Sequence, residues 1–198
     1  MIYGAKYWDD RSRFSIQTNN PTEEQLRKAG VDGWLETCGP TAAINCLGAV
    51  DVNLVISCPG PYRPQPEEVL ADYLNDPANY PTLMEYRHDV DPSKMQNNRV
   101  PQDYPIAVRE VFGATAEFSW GSGFDTIVAD LKRGCAVQVA LKKPGHYLAL
   151  VAYDSSSDEI IFDDSWPARV GGDGFNRRVS RSEFTASIQS FRIVYAAA

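Results

Sequence analysis

Residues 131–166 read LKRGCAVQVALKKPGHYLALVAYDSSSDEIIFDDSW, and they decide the fold class. Cys135–Leu141, His146–Tyr153 and Glu159–Asp163 are short apolar runs rich in strand-forming residues. Pro144-Gly145 separates the first pair and the polar segment Asp154–Asp158 the second, as turns do. A further run, Phe191–Tyr195, reads as the last strand. Together they predict a meandering antiparallel sheet.

Upstream the pattern is helical. Helices are predicted over 22–29, 38–47, 66–74, 104–112 and 124–133, the last two stopped by Gly113 and Gly134. One helical turn is expected around Leu83–Tyr86, inside a proline-rich excursion over 75–102. Pro40 is tolerated only in a first helical turn, which puts Cys38 at the start of its helix. That helix is small or apolar nearly all round (Ala42, Ala43, Ile44, Cys46, Leu47) and so is expected to be buried. Helices first and an antiparallel sheet after them argue an α+β fold. The 198 residues suit one domain, 1–198.

The net charge is −7 with no basic block, so nucleic acid is a poor partner. The N-terminus lacks the basic start and apolar run of a secretory signal, and no apolar stretch approaches the ~20 residues of a membrane span. The chain is expected to be soluble, in the cytoplasm or in a virion, although an exported mature form would look the same. The four cysteines (Cys38, Cys46, Cys58, Cys135) are irregularly spaced with no CxxC pair, and are read as reduced thiols. Two histidines and no HExxH give no metal site, and no cofactor is implied. Asp154–Glu159 is read as a solvated turn rather than a calcium loop. Gly171–Gly174 is no phosphate loop, and Gly121–Gly123 no serine elbow.

A reactive cysteine works as its thiolate, a form favoured by a helix N-terminus and by a nearby imidazolium. Cys38 has the first, with small neighbours Gly39 and Ala42 leaving room for a substrate; it could equally be a small core residue. Cys46, within the same helix, and Cys135, opening a strand, are assigned to the core. His146 opens an apolar strand after Pro144-Gly145, badly placed for packing and well placed for a site. His88 lies in a polar segment and is assigned no catalytic role. Asp163 and Asp164 end the following strand, where one can orient His146 and the other would be a turn or surface residue. Trp120 and Trp166 are either core or walls of a cleft.

The ordered set CGPTAA, LKRGCAVQVALKKPGHYLALVAYD and IIFDDSW resembles the bacteriocin-leader-processing (double-glycine) peptidases and their bacterial and phage relatives, within the papain-like cysteine peptidases. The resemblance spans roughly residues 14–184. It implies a papain-like fold, its helical N-terminal half packed on a C-terminal antiparallel sheet, and a cysteine peptidase acting on a peptide or amide bond. Cys38 would be the nucleophile, His146 the base, and Asp164 the orienting acid, because it precedes Ser165-Trp166 where papain relatives carry Asn-Ser-Trp. The narrower family usually has Asp-Pro there. The family's oxyanion glutamine maps onto Gln17, within Ser15–Asn20, with Gln25 the fallback; Asp32 occupies papain's own glutamine position. Rival expectations are cleavage of bacterial cell-wall peptides, or an inactive papain-like binding module, which would normally lack the Cys or the His.

Overall fold

A strand exposed on one face alternates apolar and polar residues, but Ala136–Ala140 and Tyr147–Asp154 do not. Every residue of both is buried, so both faces of the sheet must be covered. The computed structural model of the chain describes residues 1–15, 37–50, 54, 65–84, 100–143, 145–166 and 172–197, and within them it shows such a sheet.

The strands are β1 (Ile2–Gly4), β2 (Ala116–Trp120), β3 (Ala136–Ala140), β4 (Tyr147–Asp154), β5 (Glu159–Asp163), β6 (Arg177–Ser180) and β7 (Phe191–Tyr195). They form one sheet in the order β2-β7-β3-β4-β5-β6, all neighbours antiparallel, with β1 beside the far half of β4. The helices are α1 (Cys38–Ala49), α2 (Pro66–Asn75), α3 (Tyr80–Met84), α4 (Tyr104–Phe112), α5 (Phe124–Lys132) and α6 (Arg181–Ser187). The class is α+β, as the sequence predicts.

One face of the sheet (Ala149, Val151, Ile161, Ile193) packs against α1, α2 and α4 through Ile44, Leu47, Leu70, Leu74, Ala107 and Val108. The other face (Val137, Leu148, Leu150, Ile160, Phe162) packs against α5 and α6 through Phe124, Ile127, Leu131 and Phe184. Each Val, Leu, Ile or Phe among them contributes roughly 1.5–3 kcal/mol. The helices are therefore not confined to one face, and β1 precedes every helix while β2 precedes α5, so strands and helices interleave along the chain. The expected helix over 22–29 lies outside the described residues.

Helix α1 is buried from Gly39 to Ala49. Only small residues allow it to sit that deep between the sheet and α2. The N-terminal limb runs along it from its C-terminal end upward. Tyr7 N–H donates to Ala49 O at 2.8 Å, Arg13 Nη1 donates to Gly48 O, and Ser15 exchanges two hydrogen bonds with the Asn45 amide (2.7 and 3.1 Å).

Candidate active site

Helix α1 begins at Cys38, and Pro40 stands in its first turn. The N-cap residue Thr37 makes no side-chain capping bond, so the first-turn N–H groups are not capped from that side chain. Cys38 itself is half-buried. It packs against a cluster of Ala42, Ala140, Tyr147 and Phe191, with Phe118 at the margin.

His146 lies one residue before β4, the strand paired directly with β3. Its ring is 2% exposed. Nε2 is 2.8 Å from Asp164 Oδ1, and the Cys38 thiol is close enough to the ring to raise its proton affinity; with Nε2 engaged, Nδ1 is the nitrogen left for the thiol. Burial pulls the imidazole pKa down. The interactions with Asp164 and Cys38, with their negative charges, outweigh it, and the net shift is upward. The structure thus brings Cys38, His146 and Asp164 together in that order.

Asp164 follows the end of β5 and is completely buried. Its Oδ1 also accepts the Trp166 backbone N–H at 2.9 Å, and its own N–H donates to Gly174 O at 2.9 Å. Gly174 has φ +83°, and a Cβ there would fall 2.1 Å from Asp164 O, so only glycine fits against this backbone. The Trp166 ring meets the His146 ring edge-on, centroids 5.8 Å apart. It shields the imidazole and is itself partly exposed. Trp120 is not core: it is 69% exposed.

Asp163 corrects an expectation. Instead of sitting at a turn or on the surface it is 5% exposed. It accepts the Asn176 backbone N–H at 2.9 Å, and burial pushes its carboxyl up to about 7. Asp163 and Asp164 both grip the segment Gly174–Asn176, which lies over the end of β5. The N-terminal limb fastens the same segment from outside through the Arg11–Asp173 ion pair, Asn176 Nδ2 to Asp9 (2.7 Å) and the Phe14–Phe175 ring contact.

Gln17 and Gln25 lie outside the described residues, as do His88 and Cys58. Cys46 and Cys135 are buried, as expected. Among the described residues no group of His, Cys, Asp and Glu is arranged to hold a metal ion, and no helix is long and apolar enough to cross a membrane. Sequence reasoning missed Gln138 and Gly174. The signal for Gln138 was present, a single polar residue in the centre of CAVQVAL.

Residues 16–193 match the model of the Peptidase_C39 like family. No curated protein matches the chain. Similar solved structures include the peptidase domain of Streptococcus ComA, a bi-functional ABC transporter involved in quorum sensing (14% identity, 82% of this chain, 92% of that one, TM-score 0.46). Another is the N-terminal peptidase C39 like domain of the toxin secretion ATP-binding protein from Vibrio parahaemolyticus (11%, 61% and 84%, TM-score 0.36). A third is a C39-like peptidase from Bacillus anthracis (14%, 49% of this chain, TM-score 0.37), of which the match covers 58%.

Proposed function

The chain belongs to the Peptidase_C39 like family, and from that premise we propose that it is a cysteine peptidase working through Cys38, His146 and Asp164. The observation that carries this reading is His146 held between Cys38 and Asp164, with Nε2 2.8 Å from the carboxylate. Cys38 attacks the carbonyl carbon of a peptide bond as the thiolate. His146, protonated at Nδ1, gives that proton to the leaving amine, and the acyl group stays on sulfur. His146 then takes a proton from water, which attacks the thioester and releases the acid. Asp164 fixes the imidazole orientation and supports its charge throughout.

The tetrahedral oxyanion is stabilised by the Cys38 backbone N–H and by the Gln17 side chain. What supports Gln17 is the course of the N-terminal limb along α1, from Ala49 to Gly48 to Asn45. Ser15, bonded to Asn45, lies seven residues below Cys38 on the helix, roughly 10 Å. Gln17 follows Ser15 by two residues in the sequence.

A mixed peptide pool incubated with the purified chain and read by mass spectrometry for new termini tests the proposal. Cleavage is expected from the wild type, insensitive to chelators and blocked by iodoacetamide. Cys38→Ala should abolish it without changing the melting temperature by more than a few degrees. Cleavage surviving in Cys38→Ala would sink the assignment.

A further inference from the structure

Gln138 stands at the middle of β3, completely buried among apolar residues. A buried amide is unfavourable by several kcal/mol unless its groups are paired, so its partners show what it is for. Nε2 donates to the carbonyl of Gly39 at 3.0 Å, across 99 residues of sequence. Oε1 accepts the Tyr195 hydroxyl at 2.5 Å, and the Tyr104 hydroxyl is a further hydrogen-bond neighbour. One side chain therefore ties β3, β7 and α4 to the first turn of α1, at the residue next to Cys38.

We propose that Gln138 is a positioning residue for the nucleophile: by holding the Gly39 carbonyl to the sheet it sets the rotation of the first turn of α1, and so aims the Cys38 side chain at His146. This rests on the reading of Cys38 as the nucleophile. The need for such a tether follows from the two anchorages. His146 is fixed by β4 and its pairing with β3. Cys38 stands on a separate element, at the first turn of α1. Rotation of that turn moves Sγ relative to the imidazole, and a displacement of about 1 Å is enough to slow such a reaction by about 10². Gln138 links the two anchorages directly, because it belongs to the strand paired with β4 and faces α1.

The test uses alkylation of Cys38 by iodoacetamide, which needs no peptide substrate, with a kcat and KM comparison on any peptide the wild type cleaves. Gln138→Met keeps the volume and removes the amide's hydrogen bonds. It is expected to slow Cys38 alkylation at neutral pH by about tenfold or more, and to lower kcat by a similar factor with KM unchanged. A purely structural role would move the melting temperature and leave the native alkylation rate alone.

Gln138→Glu supplies the conservative rescue. The ionisable groups facing it are the Tyr104 and Tyr195 phenols, both kept neutral by burial. When protonated, the new carboxyl still donates to Gly39 O; when ionised, it repels that carbonyl. Its rate relative to wild type at the same pH should be near one in acid and fall as pH rises. This variant carries the test if Gln138→Met does not fold. Rates equal to wild type in both variants at every pH overturn the proposal while leaving Cys38 as nucleophile. A wild-type Cys38 that reacts no faster than a small free thiol overturns the nucleophile reading instead, and the proposal with it.

Discussion

The acid side and the thiol side of the site are built differently. His146 and Asp164 are 18 residues apart, flanking the open end of the β4–β5 hairpin; the Trp166 backbone N–H holds the Asp164 carboxylate, and the Asp164 N–H ties its backbone to Gly174 O. Cys38 is over 100 residues away in sequence. It is joined to that hairpin through the packing of α1, the Gln138–Gly39 bond and the climb of the N-terminal limb. Local anchorage gives rigidity from short-range structure. Distant anchorage depends on the whole core being assembled, so the thiol side should be the more sensitive to substitutions far from it.

The largest effect should come from breaking the acid side at its centre. Asp164→Ala is expected to slow the chemical step by about 10³–10⁴, because the imidazole loses its orienting partner. Asp164→Asn should retain part of the activity, since it keeps an acceptor for Nε2. The titration of His146 by NMR gives a second reading. Its upward shift depends on Asp164 against the pull of burial, so in Asp164→Ala the value should fall. A raised histidine stabilises the fold fully below its ordinary value of about 6.5, and that contribution is lost as pH rises through the folded-state value. The wild type should therefore lose stability above about pH 6.5, and Asp164→Ala should lose less. An unchanged His146 titration in the variant would contradict the arrangement.

On the thiol side, Gln17→Ala should lower kcat by about 10²–10³, the usual loss for one oxyanion donor, with little effect on KM. If Gln25→Ala shows that loss instead, the limb delivers a different glutamine. A smaller effect is expected from a backbone test of the acid side. Gly174→Ala forces a Cβ onto Asp164 O at a left-handed φ. It should destabilise the fold by about 2 kcal/mol or more and slow turnover by roughly tenfold through displacement of Asp164. Full activity with a normal melting temperature would show that the segment after β5 does not hold the carboxylate.

The same contrast explains what the sequence makes legible. β5, β7 and α4 are read to the residue and β3 and β4 within one, because apolar runs bounded by Pro-Gly, Asp-Ser and Gly signals are local patterns. Cys38 is placed by Pro40 alone. β6 is not legible, since RRVS at a solvent-facing sheet edge carries a single apolar residue. α6 and β2 left readable marks, the Ser180–Glu183 capping box and the alternation Ala116, Phe118, Trp120. The roles of Gln138 and Gly174 could not be read, because each depends on a partner brought close only by the finished fold. Asp163 was misjudged for the same reason: strand alternation predicts one inward acid, and the segment 172–176 that covers the second lies beyond any local pattern.

The smallest effect separates the two neighbouring acids. The Asp163 side chain serves a different partner from Asp164: its Oδ1 holds the Asn176 N–H, where the backbone is left-handed (φ +49°). Asn keeps that acceptor and removes the charge, so Asp163→Asn should leave kcat within about twofold of wild type, in contrast to Asp164→Ala. Its stability should depend on pH in a defined sense. Burial raises the Asp163 carboxyl to about 7, against roughly 3.9 in an unfolded chain. A raised carboxyl gives its full stability below the unfolded value and loses it as pH climbs through the folded one. Wild type should thus fall behind Asp163→Asn progressively between about pH 4 and pH 7, with a constant gap above that. Melting temperatures of both proteins across pH 4–9 measure this directly. A gap that stays flat from pH 4 upward would mean that Asp163 is charged in the fold, and a severe loss of kcat in Asp163→Asn would make it, rather than Asp164, the acid that orients His146.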